Sequence, residues 1–157
     1  MFRKMRRFHQ ELPEEKCLEI LRKEPRGVLA VSGEDGYPYA LPINYLYDEG
    51  KIFFHCAREG HKMDAIRRDS RVSFCVYDSG YRTPEKRGLN ISSVIVFGRL
   101  MPVGDHGKAM EKLEKLGLKY FPDDPEYIAY EIGKNGNKVR ILELTIDHMT
   151  GKLVNES

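Results

Sequence analysis

Six short runs of apolar and β-branched residues, most of them joined by a few turn-forming residues, limit the folds open to this chain. The turn sequences GEDG and DEGK join the first three runs, as between strands that pair antiparallel. Helical segments do not alternate with the strands, as a parallel βαβ chain would require. The strands are predicted at residues 27–32, 37–47, 51–57, 71–77, 91–103 and 138–149. We therefore expect a mainly β protein, an antiparallel six-stranded barrel or a sandwich, with peripheral α-helices.

Many strand residues are apolar on both faces, as in the stretch SVIVFG. This pattern suits a closed barrel whose interior is filled and whose outer face is covered by helices or by a partner. Pro38 and Pro42 argue against a central, fully paired second strand, and Gly98 predicts a bend or bulge in the fifth. Helices are predicted at residues 12–27, at 61–68, from Asp105 onward and, as a short segment, within 125–137.

Composition bounds the class of protein and its partners. The 157 residues suit a single domain, 1–157, and a net charge of +2 gives no general case for binding nucleic acid. The basic cluster Arg3, Lys4, Arg6 and Arg7 is either a solvated arm or a binding patch. No stretch approaches the roughly 20 apolar residues needed to cross a bilayer, so no membrane segment is expected.

The cysteines and histidines do not suggest a metal or disulfide framework. Three widely spaced cysteines and the lack of a secretory signal indicate a reduced, cytoplasmic protein without disulfides. No CxxC or HxxxH spacing occurs, and the neighbouring His55 and Cys56 should point to opposite faces of one strand, so we predict no metal site. The sequence assigns no base to Cys56, which argues against a thiol nucleophile.

The loop before the helix at 61–68 is the part of the sequence that points to a ligand. Gly60, His61 and Lys62 open this helix, although a cation in the first turn opposes the helix dipole. A bound anion makes a cation at this position favourable, because free backbone N–H groups, the dipole and the cations then converge on a phosphate. Gly60 permits close approach of the backbone. The other interpretation is that Lys62 simply extends into solvent from a surface helix.

Two polar residues in apolar strands are further candidates. Asn44 interrupts the run LPINYLY, and a buried amide needs partners from either a ligand edge or a neighbouring strand. His55 ends the strand that leads into the phosphate loop, so it either faces the same pocket or is hydrogen-bonded within the structure. Tyr39, Tyr45 and Tyr47 are spaced for the face opposite Asn44 and are expected in the core or in an interface.

Taken in order, these motifs resemble a known family. The succession G-x-L-A, P-x-N-Y, F-H-x-A-x-x-G-H-K and V-x-V-F-G, with IDHMTGK near the end, is similar to the FMN-binding split barrels of the pyridoxamine-5′-phosphate-oxidase-like family. Within that family the chain most resembles the small flavin-nucleotide-binding group that includes the nitroimidazole-resistance proteins. The resemblance covers nearly the whole chain.

The resemblance implies a homodimer with FMN at the subunit interface. It also implies a flavin-dependent oxidoreductase that takes electrons from a small-molecule donor and reduces a small acceptor such as a nitro compound or a quinone. Residues implied beside the flavin ring are Pro42, Ile43, Asn44 and Tyr45, and those along the ribityl and phosphate end are His55, Cys56 and Ala57. Gly60, His61 and Lys62 would hold the phosphate, and Ser93 and Val94 would reach the site of the partner subunit. The one candidate for a reactive role is His55, by similarity to the resistance proteins.

The chain also departs from the family pattern. Pyridoxamine-5′-phosphate oxidases carry Ser-Arg-Lys where this chain has Gly60-His61-Lys62, and their C-terminal substrate segment has no counterpart, which weakens the case for vitamin B6 chemistry. Related flavin proteins often read Tyr-Arg-Ser-Val where residues 91–94 are ISSV. The alternatives are a non-catalytic flavin module for storage, sensing or electron transfer, and a barrel for another phosphate ligand such as a deazaflavin or haem-related cofactor. The polar loop at 80–90 is long enough to be mobile or to cover a site.

Overall fold

The computed structural model describes residues 1–155, which form eight β-strands and four α-helices. The strands are β1 Glu11–Leu12, β2 Arg26–Ser32, β3 Pro38–Asn44, β4 Leu46–Asp48, β5 Lys51–Ala57, β6 Arg71–Tyr77, β7 Asn90–Pro102 and β8 Val139–Asn155. The helices are α1 Glu14–Lys23, α2 His61–Arg68, α3 His106–Tyr120 and α4 Pro125–Asn135.

One curled antiparallel sheet contains all the strands, in the order β3-β2-β6-β7-β8-β5-β4, with β1 paired to β8. The end strands β3 and β4 are separated in sequence by the single residue Tyr45. The chain therefore passes directly from one edge of the sheet to the other, and the curled sheet forms a split barrel. The predicted mainly β, antiparallel split barrel with peripheral helices is confirmed, and the sandwich alternative is wrong.

The strand count is larger than the six expected from the sequence, for two reasons. The predicted second strand breaks at Tyr45, because the backbone N–H of Tyr45 donates to the hydroxyl of Tyr120 in α3 at 2.9 Å instead of continuing a ladder. The short pair Glu11–Leu12 adds to β8 opposite Lys152 and Gly151. Both contacts join residues that are distant in sequence.

The predicted features of individual elements are largely confirmed. Strand β3, which carries both prolines, pairs on one side only, with β2. The β7–β8 register shifts between Phe97 and Gly98, where a bulge was expected. Helix α2 spans the predicted 61–68, and Asp105 caps α3 by accepting from the backbone N–H of Lys108 at 2.6 Å.

Aromatic and aliphatic side chains fill the barrel interior. Phe74 contacts Tyr45 and Phe54 edge to face, at centroid distances of 4.9 and 5.1 Å. Tyr39 and Tyr47 also pack against this core, so the expectation for the three tyrosines is confirmed. The helices α3 and α4 pack together on the outside, with α3 against β4, β5 and β8.

The N-terminal arm and the long loop are held by specific contacts. The ring of Phe2 stacks on His148 and Phe97, so the basic arm lies against the outer sheet. The loop after β6 closes at its base through a bridge between Tyr81 and Asn90. No helix within residues 1–155 is long and apolar enough to span a membrane.

Candidate functional site

The split in the barrel lies where β3 and β5 separate. Strand β4 pairs with β5 as far as Leu46 and Phe53, whereas β3 pairs with β2. On the β3 side of Tyr45, β3 and β5 therefore diverge from each other. Asn44 of β3 and His55 of β5 lie on the wall of one shared cavity. The sequence proposed both residues for one pocket, and the structure brings them together.

The N-terminus of α2 lies near this opening, and its backbone is open to a ligand. Gly60 precedes the helix with φ +124° and ψ 173°, a conformation that glycine adopts readily and that strains other residues. No side chain within residues 1–155 caps the helix, and the first internal bond runs from the N–H of Asp64 to the carbonyl of Gly60. The N–H groups of the first turn are left for a ligand or solvent.

A histidine and a lysine, His61 and Lys62, are the first two residues of this helix. The ring of His61 stacks on Tyr39 of β3, with centroids 4.3 Å apart and planes 12° from parallel. Tyr39 thereby fixes the orientation of His61 across the split. Lys62 lies close enough to His55 and Cys56 to influence the pKa of both.

His55 and Cys56 point to opposite faces of β5, as the sequence predicted. Burial, with the positive charge of Lys62, lowers the pKa of His55 below its usual value, which favours the neutral imidazole near pH 7. The Sγ atom of Cys56 lies 3.7 Å from Sδ of Met63 in α2. Burial raises the pKa of Cys56 despite the opposing charges of Lys62 and Arg140, so the thiol stays protonated and is a poor nucleophile.

Arg140 is a candidate that the sequence reasoning did not identify. It pairs with Cys56 across the β5–β8 ladder, and its Nε is buried without a hydrogen-bond partner within residues 1–155. A buried guanidinium nitrogen with no acceptor is suited to an anion that completes the site. In the sequence Arg140 is one more basic residue in a strand, because nothing local shows that β8 lies beside β5.

The cavity that contains Asn44 and His55 has a volume of about 240 Å³ and extends beneath α3 and α4. Its helical walls are mainly apolar, with Leu113, Leu116 and Ile128 among them. The strand wall supplies the amide of Asn44 and the imidazole of His55. Asn44 and His55 therefore border an apolar chamber under the helices, and β5 continues from His55 towards the start of α2.

Comparison with known proteins identifies the family of this barrel. A family model described as pyridoxamine 5′-phosphate oxidase matches residues 13–153. The chain belongs to this family. None of the proteins with curated descriptions matches it by sequence.

Solved structures show the same fold at low sequence identity. A candidate 5-nitroimidazole antibiotic resistance protein of Bacteroides thetaiotaomicron aligns with a TM-score of 0.78 and 17% identity, over 92% of this chain and 87% of that one. An FAD-binding protein of Mesorhizobium loti aligns with a TM-score of 0.64 and 22% identity, over 92% and 96%. An FAD- and haem-binding protein of Mycobacterium smegmatis aligns at 0.73 and 18%, over 94% and 74%.

The remaining predicted site residues are either exposed or packed in the core. Pro42 and Ala57 are exposed near the split, whereas Ile43 packs against the core. Tyr45 is fully buried, and its backbone carbonyl accepts from Lys119 Nζ at 3.0 Å and lies 3.1 Å from the hydroxyl oxygen of Tyr120.

On β7, the two residues predicted to reach a partner subunit differ in direction. Val94 is fully buried in the barrel, and Ser93 lies between Tyr77 and Lys152 on the other face. Ligand contacts from all the predicted site residues stay predictions, those of Ile43, Tyr45, Ser93 and Val94 included. Among residues 1–155 no group of three or more histidine, cysteine or acidic side chains is placed to hold a metal ion.

Proposed function

We propose that this protein is a cytoplasmic homodimer that binds FMN in the split of each barrel and uses it to reduce small oxidised molecules such as nitro compounds or quinones. The observation that carries the proposal is the set of donors around the start of α2. It combines backbone N–H groups without a side-chain cap, His61, Lys62 and the Nε of Arg140, which has no hydrogen-bond partner among the described residues. Such a set fits a phosphate monoester dianion better than it fits a neutral ligand.

The shape of the opening supports a long ligand with a phosphate at one end. From Tyr39, beside His61, to Asn44 the strand β3 extends about 16 Å, at roughly 3.3 Å per residue. Because the two side chains point to opposite faces, the ligand would follow the edge of this end strand rather than one of its faces. The flat ring of FMN would then lie beside Pro42 and Asn44. The amide of Asn44 can both donate to and accept from the polar edge of such a ring. The relatives described as FAD-binding support a flavin of some kind.

When bound, FMN would supply reversible electron transfer, and the protein would bind, orient and shield the reactants. With NADH or NADPH as donor and a quinone as acceptor, two electrons and one proton come from the nicotinamide and one further proton from solvent, giving the quinol. A nitro group would take two electrons and two protons to give a nitroso group and water. Neutral His55 can donate or accept a hydrogen bond at the cavity wall without adding a charge there.

The outer face of the sheet supports the homodimer. Ile95 and Phe97 of β7 are 40% and 39% exposed in the single chain. The strand register places them in two rows of mostly small or apolar residues that cross five strands, which is typical of an interaction face. The rows are Pro42-Val28-Cys75-Ile95-Thr150 and Ala40-Ala30-Ser73-Phe97-His148.

The first experiment tests the ligand itself. The purified protein should be yellow, and the extracted ligand should have the mass of FMN. An extracted FAD or deazaflavin would contradict the FMN assignment. A colourless protein that takes up no added flavin would contradict the whole proposal.

The double variant His61→Ala/Lys62→Ala tests the phosphate assignment. It should weaken FMN binding about 100-fold or more, since each hydrogen bond to a charged group is worth roughly 1.5–3 kcal/mol. The matched control Arg67→Ala/Arg68→Ala removes cations from the last turn of the same helix and should change affinity only slightly. Equal losses in the two variants would contradict the assignment.

Turnover separates an enzyme from a flavin module. FMN-loaded protein should oxidise NADH, NADPH or a reduced carrier when a nitroaromatic compound or quinone is present. If none of these donors reduces the bound flavin, and no acceptor reoxidises it after chemical reduction, the protein is a storage or sensing module.

A further inference from the structure

The cavity beneath α3 and α4 has an electrostatic character opposite to that of the α2 end. None of the described residues that line it is a lysine or an arginine. Its polar residues are Asn44, His55, Tyr120, Glu131 and Asn135. Glu131 is the acidic side chain among these lining residues, and the lowered pKa of His55 favours its neutral imidazole.

Glu131 has spare capacity to accept hydrogen bonds. Its Oε2 accepts from Nδ2 of Asn135 at 3.0 Å, and Oδ1 of Asn135 in turn accepts from Nζ of Lys138 at 3.1 Å. No salt bridge to Glu131 forms within residues 1–155. A carboxylate in an apolar wall favours a ligand that brings an N–H donor or a cation, and disfavours a second anion.

The size of the cavity limits the ligand further. Its volume of about 240 Å³ exceeds the roughly 150 Å³ of an engineered apolar cavity that binds benzene. One ring with a substituent, or two fused rings, would fit among the apolar side chains of α3 and α4. A phosphorylated ligand would place its phosphate beside Glu131, where no cation within the described lining residues offsets it.

We propose that this cavity binds the electron acceptor and that Glu131 selects it: a one- or two-ring aromatic compound, neutral or cationic, that carries an N–H or ammonium donor. Carboxylated and phosphorylated aromatics, including the phosphorylated B6 vitamers, are rejected. This inference rests on the proposed function, because it takes the cavity to be the acceptor side of the flavin site.

Three probes with the same nitrophenyl ring test the selection. Isothermal titration calorimetry of the flavin-loaded protein at pH 7 measures the affinity of 4-nitrobenzylamine, 4-nitrobenzyl alcohol and 4-nitrobenzoate. The amine should bind at least 10-fold more tightly than the carboxylate, with the alcohol between them. Glu131→Gln keeps an oxygen that can accept from Asn135 and should bring the amine-to-carboxylate ratio close to 1.

The matched control is Glu126→Gln, which removes one negative charge from the exposed first turn of α4 and should keep the wild-type ratio. Equal affinities for the amine and the carboxylate, or the same ratio in Glu131→Gln as in the wild type, would overturn the inference. The same titration without flavin separates the two proposals. A chain that takes up no flavin but keeps the preference for the amine refutes the proposed function and supports the cavity assignment. A flavin-loaded chain with no preference refutes the cavity assignment and leaves the flavin-binding proposal supported.

Discussion

At the scale of single residues, position in the barrel decides what each candidate side chain can do. His55 and Cys56 are adjacent in sequence, yet one faces the cavity and the other contacts Met63 under α2. Burial moves the pKa of both groups, downward for the imidazole and upward for the thiol, so both neutral forms are favoured. Positive charge at the site is therefore supplied by Lys62 and Arg140.

The pKa of His55 makes a prediction about stability. Because its folded-state pKa lies below the ordinary value of 6.5, the unfolded chain binds more protons as the pH falls through that value. Its contribution to the free energy of unfolding is thus fully present above about pH 6.5 and is lost on acidification. His55→Gln should reduce the fall in unfolding free energy between about pH 6.5 and 5, as measured by urea denaturation.

Above pH 8 the difference in unfolding free energy between the wild type and His55→Gln should no longer depend on pH. A variant whose stability falls with acid as steeply as that of the wild type would show that His55 is not the group responsible.

At the scale of secondary-structure elements, α3 fixes the bend that positions Asn44. Nζ of Lys119 donates to the carbonyls of Glu24 and Tyr45, at 2.9 and 3.0 Å, and lies 3.7 Å from the centroid of the Tyr45 ring. The hydroxyl of Tyr120 donates to the carbonyl of Pro25 at 2.5 Å. These contacts replace the missing ladder bonds at the break between β3 and β4.

Lys112 anchors the other half of α3. Its side chain is only 1% exposed, and Nζ lies 2.7 Å from both Asp48 and Glu49 and 3.2 Å from Glu111. Burial alone would lower the pKa of Lys112, but the hydrogen bonds to these carboxylates raise it overall, so the ammonium stays charged.

We expect Lys112→Met to reduce the free energy of unfolding by about 1–3 kcal/mol, because it removes a buried cation from its carboxylate partners. Lys115→Met removes an exposed cation that bonds to the same Asp48 at 2.9 Å and should cost less than about 1 kcal/mol. Urea denaturation of both variants measures the difference. Equal losses would show that burial of Lys112 adds nothing.

The bulge at Gly98 determines how β7 crosses β8. A Cβ atom at this position would lie 2.1 Å from the carbonyl oxygen of Thr145 and 2.8 Å from Cδ1 of Leu144. Gly98→Ala should therefore lower the free energy of unfolding by about 1–3 kcal/mol. Gly104→Ala, where an added Cβ meets nothing within 4 Å, should stay within about 0.5 kcal/mol of the wild type in the same denaturation experiment. A tolerated Gly98→Ala would mean that the bulge can move.

At the scale of the whole molecule, the outer sheet face is the surface on which the proposed assembly depends. Ile95 lies in the row that begins at Pro42, between Cys75 and Thr150. Phe2 already stacks on Phe97 and His148 in the second row, so the N-terminal arm lies beside the proposed contact.

If the proposed homodimer forms through this face, Ile95→Asp should convert it into a monomer, because the change places a carboxylate in an apolar surface that the dimer would bury. Tyr130→Asp makes a similar change at a residue of α4 that is 62% exposed, and should leave the dimer intact. Sedimentation equilibrium at micromolar concentration measures both variants. A wild-type protein that is already a monomer would refute the homodimer.

The sequence by itself determined the features that depend on a few neighbouring residues. Alternating apolar runs and turn residues specify the strands, Asp105 specifies the start of α3, and Gly60 marks the start of α2, where anion binding stays a prediction. These are local preferences of the backbone and of short-range hydrogen bonds, so a linear pattern contains them.

Only the tertiary structure decided how distant segments combine. The break at Tyr45 depends on Tyr120, 75 residues away, and the extension of β8 to Asn155 depends on pairing with β7. Arg140 joins Cys56, and Glu131 joins the cavity of Asn44 and His55, through sheet register and helix packing. Such contacts leave no local periodicity, because each is set by the closure of the whole barrel rather than by the residues beside it in the chain.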